Sequence, residues 1–302
     1  YFNYKKKEIH CKYFWDDKTK FTAHSNNKEF LNEVKNKFQV DGSVVNKYLK
    51  KAKIKYDLTE KIFLKKSLHK FSSFLNKETI KALFHLNIFQ INRTLHEVNS
   101  DELKNEYLIQ IFDRYATYNG SSPYKTPGMM TLIQHLENHF GTFIPEGGMY
   151  EITKAIFNLA KQVGVKFHFE CNVDEIILEN KTVKKIRVNN KLIESDIVVS
   201  NVYINHTYKK LLKQKFNHKS LKNESSSSAL IFYWGIKGNY DELDLHNIFF
   251  SSDYQEEFNS IFEKNEIFHD PTVYVNISCK DVSRDAPKNS ENWFVMINSP
   301  YN

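Results

Sequence analysis

The sequence predicts an α/β segment joined to an α+β body, and three observations carry that expectation. Residues 141–201 run helix, strand, hairpin and short β-branched run; residues 229–298 hold several strands in series with a single helix among them; and a long basic helical stretch lies between the first strands and residue 110. In the first stretch, Pro145 and Gly147-Gly148 punctuate a turn. Ile152, Ile156, Leu159, Ala160 and Val163 then recur at helical spacing, so a helix is expected over residues 149–163, with Gly164 ending it. Val165, Phe167 and Phe169 alternate as a strand. A second strand begins at Val173, Ile176 and Ile177, turns near Glu179-Asn180, and continues through Val183, Ile186 and Val188. The run Asp196 to Asn201 (DIVVSN) is continuously apolar before its last two residues, as suits a strand buried on both faces. Its end, Ser200-Asn201, lies where open α/β sheets bind ligands, beyond the carboxyl ends of the strands; the same residues could equally close a loop.

Elsewhere the pattern is of two kinds. Ile9–Trp15 and Lys20–His24 read as strands around the turn Asp16–Thr19, with Lys5-Lys6-Lys7 as a solvated turn. Phe30, Leu31, Val34 and Phe38 mark a helix; after the break at Asp41-Gly42, Ser43 is the expected cap of the next. From Asn46 to Glu97 lysines outnumber acids severalfold, between apolar residues such as Ile62, Phe71, Phe84 and Ile91. Such a stretch can lie on an anionic membrane surface, or pack its apolar face on the protein; nucleic acid ranks last, because no recognised binding module accompanies the charge. Glu102–Gln110 begins a helix, Phe112–Asn119 is aromatic and β-prone, and residues 131–140 form a helix. His135 and His139 share a helix face, but without a third ligand they read as a solvated pair rather than a metal site. Lys213–Ser228 is a polar, Ser-rich linker; Ala229–Gly235, Ile248–Phe250, Thr272–Ser278 and Trp293–Asn298 read as strands of an antiparallel sheet, with a helix over Asp253–Glu263.

Composition sets bounds on function. With 43 Lys and Arg against 36 Asp and Glu, the formal charge is +7, which favours anionic surfaces. Phe (24) and Tyr (17) can build a large core or an apolar cavity. Cys11, Cys171 and Cys279 are too scattered for a disulfide framework or a CxxC site, as expected of a reducing compartment. No apolar run is long enough to span a bilayer.

Three long runs carry a family resemblance: FDRYATYNGSSPYKTPGMMTLIQHLE (residues 112–137), PEGGMYEITKAIFNLAKQVGV (145–165) and DIVVSNVYINHTYKKLL (196–212), supported by LHNIFFS (245–251) and ENWFVMINSP (291–300). Together they resemble the bacterial-type phytoene desaturases, the carotenoid desaturases of the flavin amine oxidase superfamily. The resemblance implies an incomplete FAD-binding Rossmann-like domain, an antiparallel-sheet substrate domain and a helical membrane-facing insert. It assigns residues 1–26, 111–140 and 206–302 to the substrate domain, 27–110 to the insert, and 141–205 to the middle of the FAD-binding domain. The family's Gly-rich dinucleotide turn is not in this sequence, so the chain is expected to be the interior of a longer enzyme, inactive alone.

By the same resemblance, Val173 sits where the family's backbone meets the adenine, Ser200 and Asn201 end the following strand, and Gly147, Gly148 and Met149 open the helix behind the flavin. Hydride removal from a hydrocarbon needs such a cofactor, because amino-acid side chains cannot accept hydride. An extended, phytoene-like polyene would be held by aromatic side chains: Tyr115, Tyr118, Tyr124, Phe232, Trp234 and Phe250, each of which could also be plain core. Asp113 and Arg114 form a charged pair that could assist proton loss or be a surface ion pair; no catalytic base is assigned. The expected function is FAD-dependent carotenoid desaturation by a cytoplasmic, peripherally membrane-associated protein that acts without nucleic acid. The alternatives are a related isoprenoid saturase or oxidase, or a non-catalytic lipid-binding module. The sequence leaves the oligomeric state open.

Overall fold

Alternating apolar residues at both ends of the chain meet in one sheet. The computed structural model describes residues 2–65, 75, 77–213 and 225–301. They divide into two units, Tyr1–Ala155 with Ser226–Asn302, and Ile156–Ser225. In the first unit, β1 (Tyr4–Lys6) pairs antiparallel with β4 (Phe143–Pro145). The main sheet takes β2 (Ile9–Phe14) and β3 (Lys20–His24) from the start of the chain. From its end come β8 (Ser228–Lys237), β9 (His246–Phe249), β10 (Val273–Asn276) and β11 (Ser290–Ser299), in the order β3-β2-β9-β10-β11-β8. The expected antiparallel sheet is mixed, because β2 and β9 run parallel. These strands are far apart in sequence, and a long connection imposes no reversal of direction as a hairpin does. Nor is Lys5-Lys6-Lys7 a solvated turn. Lys5 and Lys6 belong to β1, and Lys7 reaches Asp281 at 2.7 Å and Asp244 at 3.3 Å.

Helices cover the sheet. In α1 (Asn27–Phe38), Asn26 caps the first turn and Phe30, Val34 and Phe38 turn inward. The cap of α2 (Gly42–Thr59) is Asp41, which accepts from the Ser43 amide at 2.7 Å, rather than Ser43, since the helix starts one residue earlier than its apolar stripe suggests. Further on come α3 (Lys77–Leu83), α4 (Leu86–Phe89), α5 (Leu95–Leu103) with a Thr94/Glu97 capping box, and α6 (Glu106–Asp113). Residues 66–74 and 76 of the basic stretch lie outside the described residues.

The expected strand at 112–119 is helical instead: α6 continues as a 3-10 turn over Arg114–Asn119, ended by Gly120 at φ 59°. Leu108, Ile111, Phe112 and Tyr115 are all buried, and only a helical period puts that spacing on one face. Next are α7 (Ile133–His135), flanked by 3-10 and π turns from Gly128 to Phe140, then α8 (Tyr150–Gln162) and, after β9, α10 (Tyr254–Asn259). The core gathers Tyr13, Phe21, Phe30, Phe38, Phe112, Tyr115 and Phe250.

The second unit holds an antiparallel sheet of β5 (Val173–Glu179), β6 (Thr182–Val188) and β7 (Lys191–Glu194), followed by α9 (Ile204–His206). Two expected strands do not form. At 165–169, Phe167 and Phe169 instead cluster with Phe157, the Phe157–Phe167 centroids 4.4 Å apart. The run 196–201 is extended and uncovered, with Val199 91% exposed. Apolar character alone does not make a strand, and no described strand lies alongside either segment to complete a ladder. Most of the expected linker, residues 214–224, lies outside the described residues.

Candidate functional site

Within the first unit, one face of the main sheet floors a cavity of about 380 Å³. Ile248, Tyr274 and Met296 form a row across β9, β10 and β11, and Cys11 of β2 and Asn298 of β11 extend the floor. The opposite wall is Arg114, Thr117 and Tyr118, carried by the 3-10 turn after α6, together with Glu137.

The wall is a hydrogen-bonded network around one buried ion pair. The Arg114 Nη2 donates to the Tyr13 hydroxyl at 2.8 Å and lies 3.5 Å from Glu137 Oε1. Tyr115 and Tyr118 donate to the two Glu137 oxygens at 2.8 and 3.1 Å, and the guanidinium stands 4.6 Å from the Tyr115 ring centre. Burial alone would raise the Glu137 carboxyl; the Arg114 charge, His10 and the two tyrosine hydroxyls outweigh it and hold the pKa below the ordinary range. Burial alone would likewise lower Arg114, but Tyr13, Tyr118, Glu137 and Tyr115 raise it. The pair is therefore ionised and neutral overall.

The remaining titratable groups are uncharged near neutral pH. His10 holds Thr142 Oγ1 at 2.8 Å and His246 holds the Tyr274 hydroxyl at 2.7 Å, and burial lowers both imidazoles. Burial also pushes the Cys11 thiol up to about 12, which removes it as a nucleophile.

Asp113 and Arg114 are not a surface ion pair. Adjacent on a helical backbone, they point apart: Asp113 is buried against His96 at 2.6 Å and Asn99 at 2.8 Å, and Asn99 in turn accepts from Tyr48 at 2.7 Å. Burial raises the Asp113 carboxyl, and the bond to Asp113 raises His96. This cluster borders a separate, open cavity with Trp15, Tyr107 and Tyr124. His135 is not solvated either; it is buried between the Tyr56 and His139 rings, centroids at 5.0 and 4.5 Å, and burial lowers its pKa to about 4.

Of the six aromatics expected at the substrate, the structure brings Tyr118 to the first cavity. Tyr115 lies behind it, holding Glu137. Phe250 is in the core, stacked on Tyr13 with centroids 5.7 Å apart, and Tyr124 lies against His96 at the second cavity. Phe232 and Trp234 face away: Ile231 is the residue paired with Met296, and neighbours on a strand alternate faces. Sequence reading missed Glu137, His10, His246, Tyr274 and Asn298. Arg114 and Glu137 are 23 residues apart, and nothing local marks them as partners.

The residues expected at the cofactor fall in both units. In the first, Gly147 and Gly148 both have φ 91°; the Gly147 carbonyl accepts from Arg284 at 2.6 Å, and Met149 is exposed. A Cβ on Gly148 would meet only Val282, at 4.0 Å, so the backbone there is open to approach. In the second unit, Val173 opens β5, an edge strand, Ser200 Oγ lies 2.8 Å from Thr207 Oγ1, and Asn201 is exposed. Each within its own unit, the Gly148 backbone and the exposed Val173 and Asn201 are open to approach.

Comparison with known proteins identifies the family. The family model for flavin containing amine oxidoreductase matches residues 3–230. The chain is 46% identical over 300 residues to a 1-hydroxycarotenoid 3,4-desaturase of Flavobacterium sp. (strain P99-3), covering 99% of this chain and 61% of that protein. It is 31% identical over 219 residues to a zeta-carotene-forming phytoene desaturase of Myxococcus xanthus, covering 71% and 42%. The chain thus spans about three fifths or less of the length of these relatives. A redesigned putrescine oxidase superposes with TM-score 0.56 at 8% identity, over 99% of this chain and 60% of that one, which shows a shared fold. Family membership implies a flavin cofactor. The chain belongs to the flavin containing amine oxidoreductase family, in its carotenoid desaturase group.

Proposed function

We propose that this chain is part of an FAD-dependent carotenoid desaturase whose substrate is a hydrophobic polyene, in the first instance a hydroxycarotenoid. The observation that carries the reading is the 46% identity, sustained over 300 residues, to a 1-hydroxycarotenoid 3,4-desaturase. In such a reaction two hydrogens leave adjacent carbons, one as hydride and one as proton, and a bound flavin supplies the hydride acceptor. Ile248, Met296 and the Tyr118 and Tyr274 rings offer an apolar seat for a polyene. Positive charge developing on the chain as hydride departs would meet the Tyr118 and Tyr274 rings, while Glu137 stays neutralised by Arg114 and held by two tyrosines. The neutral imidazoles and thiol add no competing charge.

Delivery of such a substrate favours a peripheral membrane attachment, on the cytoplasmic side, through the basic helical region. Leu75, Phe84 and Ile91 are exposed there beside lysines, and no helix among the described residues is long and apolar enough to cross a membrane.

The test is expression from the complete gene. The purified protein should show a flavin absorbance spectrum and convert a 1-hydroxycarotenoid to a product two hydrogens lighter. Flavin bound without conversion of any acyclic carotenoid would overturn the reading and favour another isoprenoid or a binding role.

A further inference from the structure

Resting on that reading, we propose that Asn298 selects substrate by reading a hydroxyl group at the end of an otherwise hydrocarbon chain. Asn298 lies on β11 two residues beyond Met296, on the cavity face of the sheet. Its cross-strand partner is Ala229, whose side chain is too short to cover it. The other asparagines within the strands of this sheet use their amides internally: Asn247 donates to the Asp244 and Val275 carbonyls, Asn276 to the Leu245 carbonyl, and Asn292 to the Ser278 hydroxyl. The half-buried amide of Asn298 has no such partner among the described residues.

The surroundings define the ligand group. Cys11, Ile248 and Met296 give the cavity floor an apolar surface, as suits hydrocarbon, and the Thr272 hydroxyl, next to Asn298 on the neighbouring strand's side, is already donated to Glu257 at 2.7 Å. Its one charged pair, Arg114–Glu137, is mutually neutralised, so nothing there calls for an ionic ligand. A primary amide offers both a donor and an acceptor, and a hydroxyl is the smallest group that answers both. A volume of about 380 Å³ is at the small end of ligand pockets, enough for one terminus of a polyene and not its whole length. A hydrocarbon terminus would bury the amide unpaired, so a preference of about five- to a hundredfold for the hydroxylated chain follows.

Binding tests this separately from turnover. Dissociation constants of a 1-hydroxycarotenoid and of its hydrocarbon parent, in detergent micelles, are read from the shift in polyene absorption with the purified protein. The unmodified protein should prefer the hydroxylated chain by the factor above. Asn298→Leu should bring the two constants within about twofold by weakening the hydroxylated ligand. Asn298→Ser, which keeps a small donor and acceptor, should restore part of the preference. If Asn298→Leu does not fold, Asn298→Ala removes the amide without adding bulk. No preference in the unmodified protein, or one that Asn298→Leu or Asn298→Ala leaves intact, overturns the assignment. Intact preference without desaturation would sink the functional reading and still support Asn298; desaturation without preference would sink Asn298 alone.

Discussion

Glu137→Gln tests whether the ion pair organises the cavity wall. The amide keeps nearly the shape of the carboxylate and can still accept from Tyr115 or Tyr118, but it leaves Arg114 charged with no counterion. The two side chains are 11% and 16% exposed, so solvent screens the guanidinium poorly. Removing one partner of a buried pair costs about 3–5 kcal/mol; residual exposure puts this one near about 3 kcal/mol. In a unit of this size that lowers the melting temperature by about 6–12 °C. Neutralising both ends, with Arg114→Gln and Glu137→Gln together, should recover at least about half of the loss, because no unpaired charge remains. Thermal unfolding followed by circular dichroism measures all three proteins. A loss under about 1 kcal/mol in Glu137→Gln, or a double variant clearly worse than the single, would refute the account. The sign with pH is also set. The Glu137 pKa in the folded protein lies below its ordinary 4.5, so its contribution is complete above about pH 4.5 and disappears as the pH falls through the folded value.

Glu257 should behave in the opposite sense. Buried and bonded to Thr272, it is pushed up to about 7, chiefly by burial, so its contribution is complete below about pH 4.5 and lost as the pH rises through about 7. Glu257→Gln should flatten that slope in urea titrations at pH 5 and 7; an unchanged slope would count against the assignment. Thr94→Ala removes a capping box from α5 and should cost about 1 kcal/mol in the same assay, and no change would mean that the cap is not limiting. Cosedimentation with anionic liposomes should exceed that with neutral ones and fall with added salt; equal binding to both would exclude the proposed membrane contact.

Family resemblance and local periodicity were legible in the sequence. Strands around 9–14, 20–24, 229–235, 248 and 293–298, and the helices at 27–38 and 150–162, follow from repeats of two and 3.6 residues, which each segment carries within itself. Where the two periods compete, neighbours decided. Phe112–Asn119 is aromatic enough for a strand, yet its inward residues join the stripe begun at Leu108, and the helix wins. Asp196–Asn201 is apolar enough for a buried strand, yet no strand among the described residues pairs with it.

The site divides in the same way. Six aromatics were named from the sequence as candidates, and of them Tyr118 is the one that lines the first cavity. The pairing of Arg114 with Glu137, the opposed directions of Asp113 and Arg114, and the turning of Phe232 and Trp234 away from the cavity needed the tertiary structure. Each depends on which face of a strand or helix meets another element distant in sequence. A single chain position holds no record of that contact until packing brings the two together.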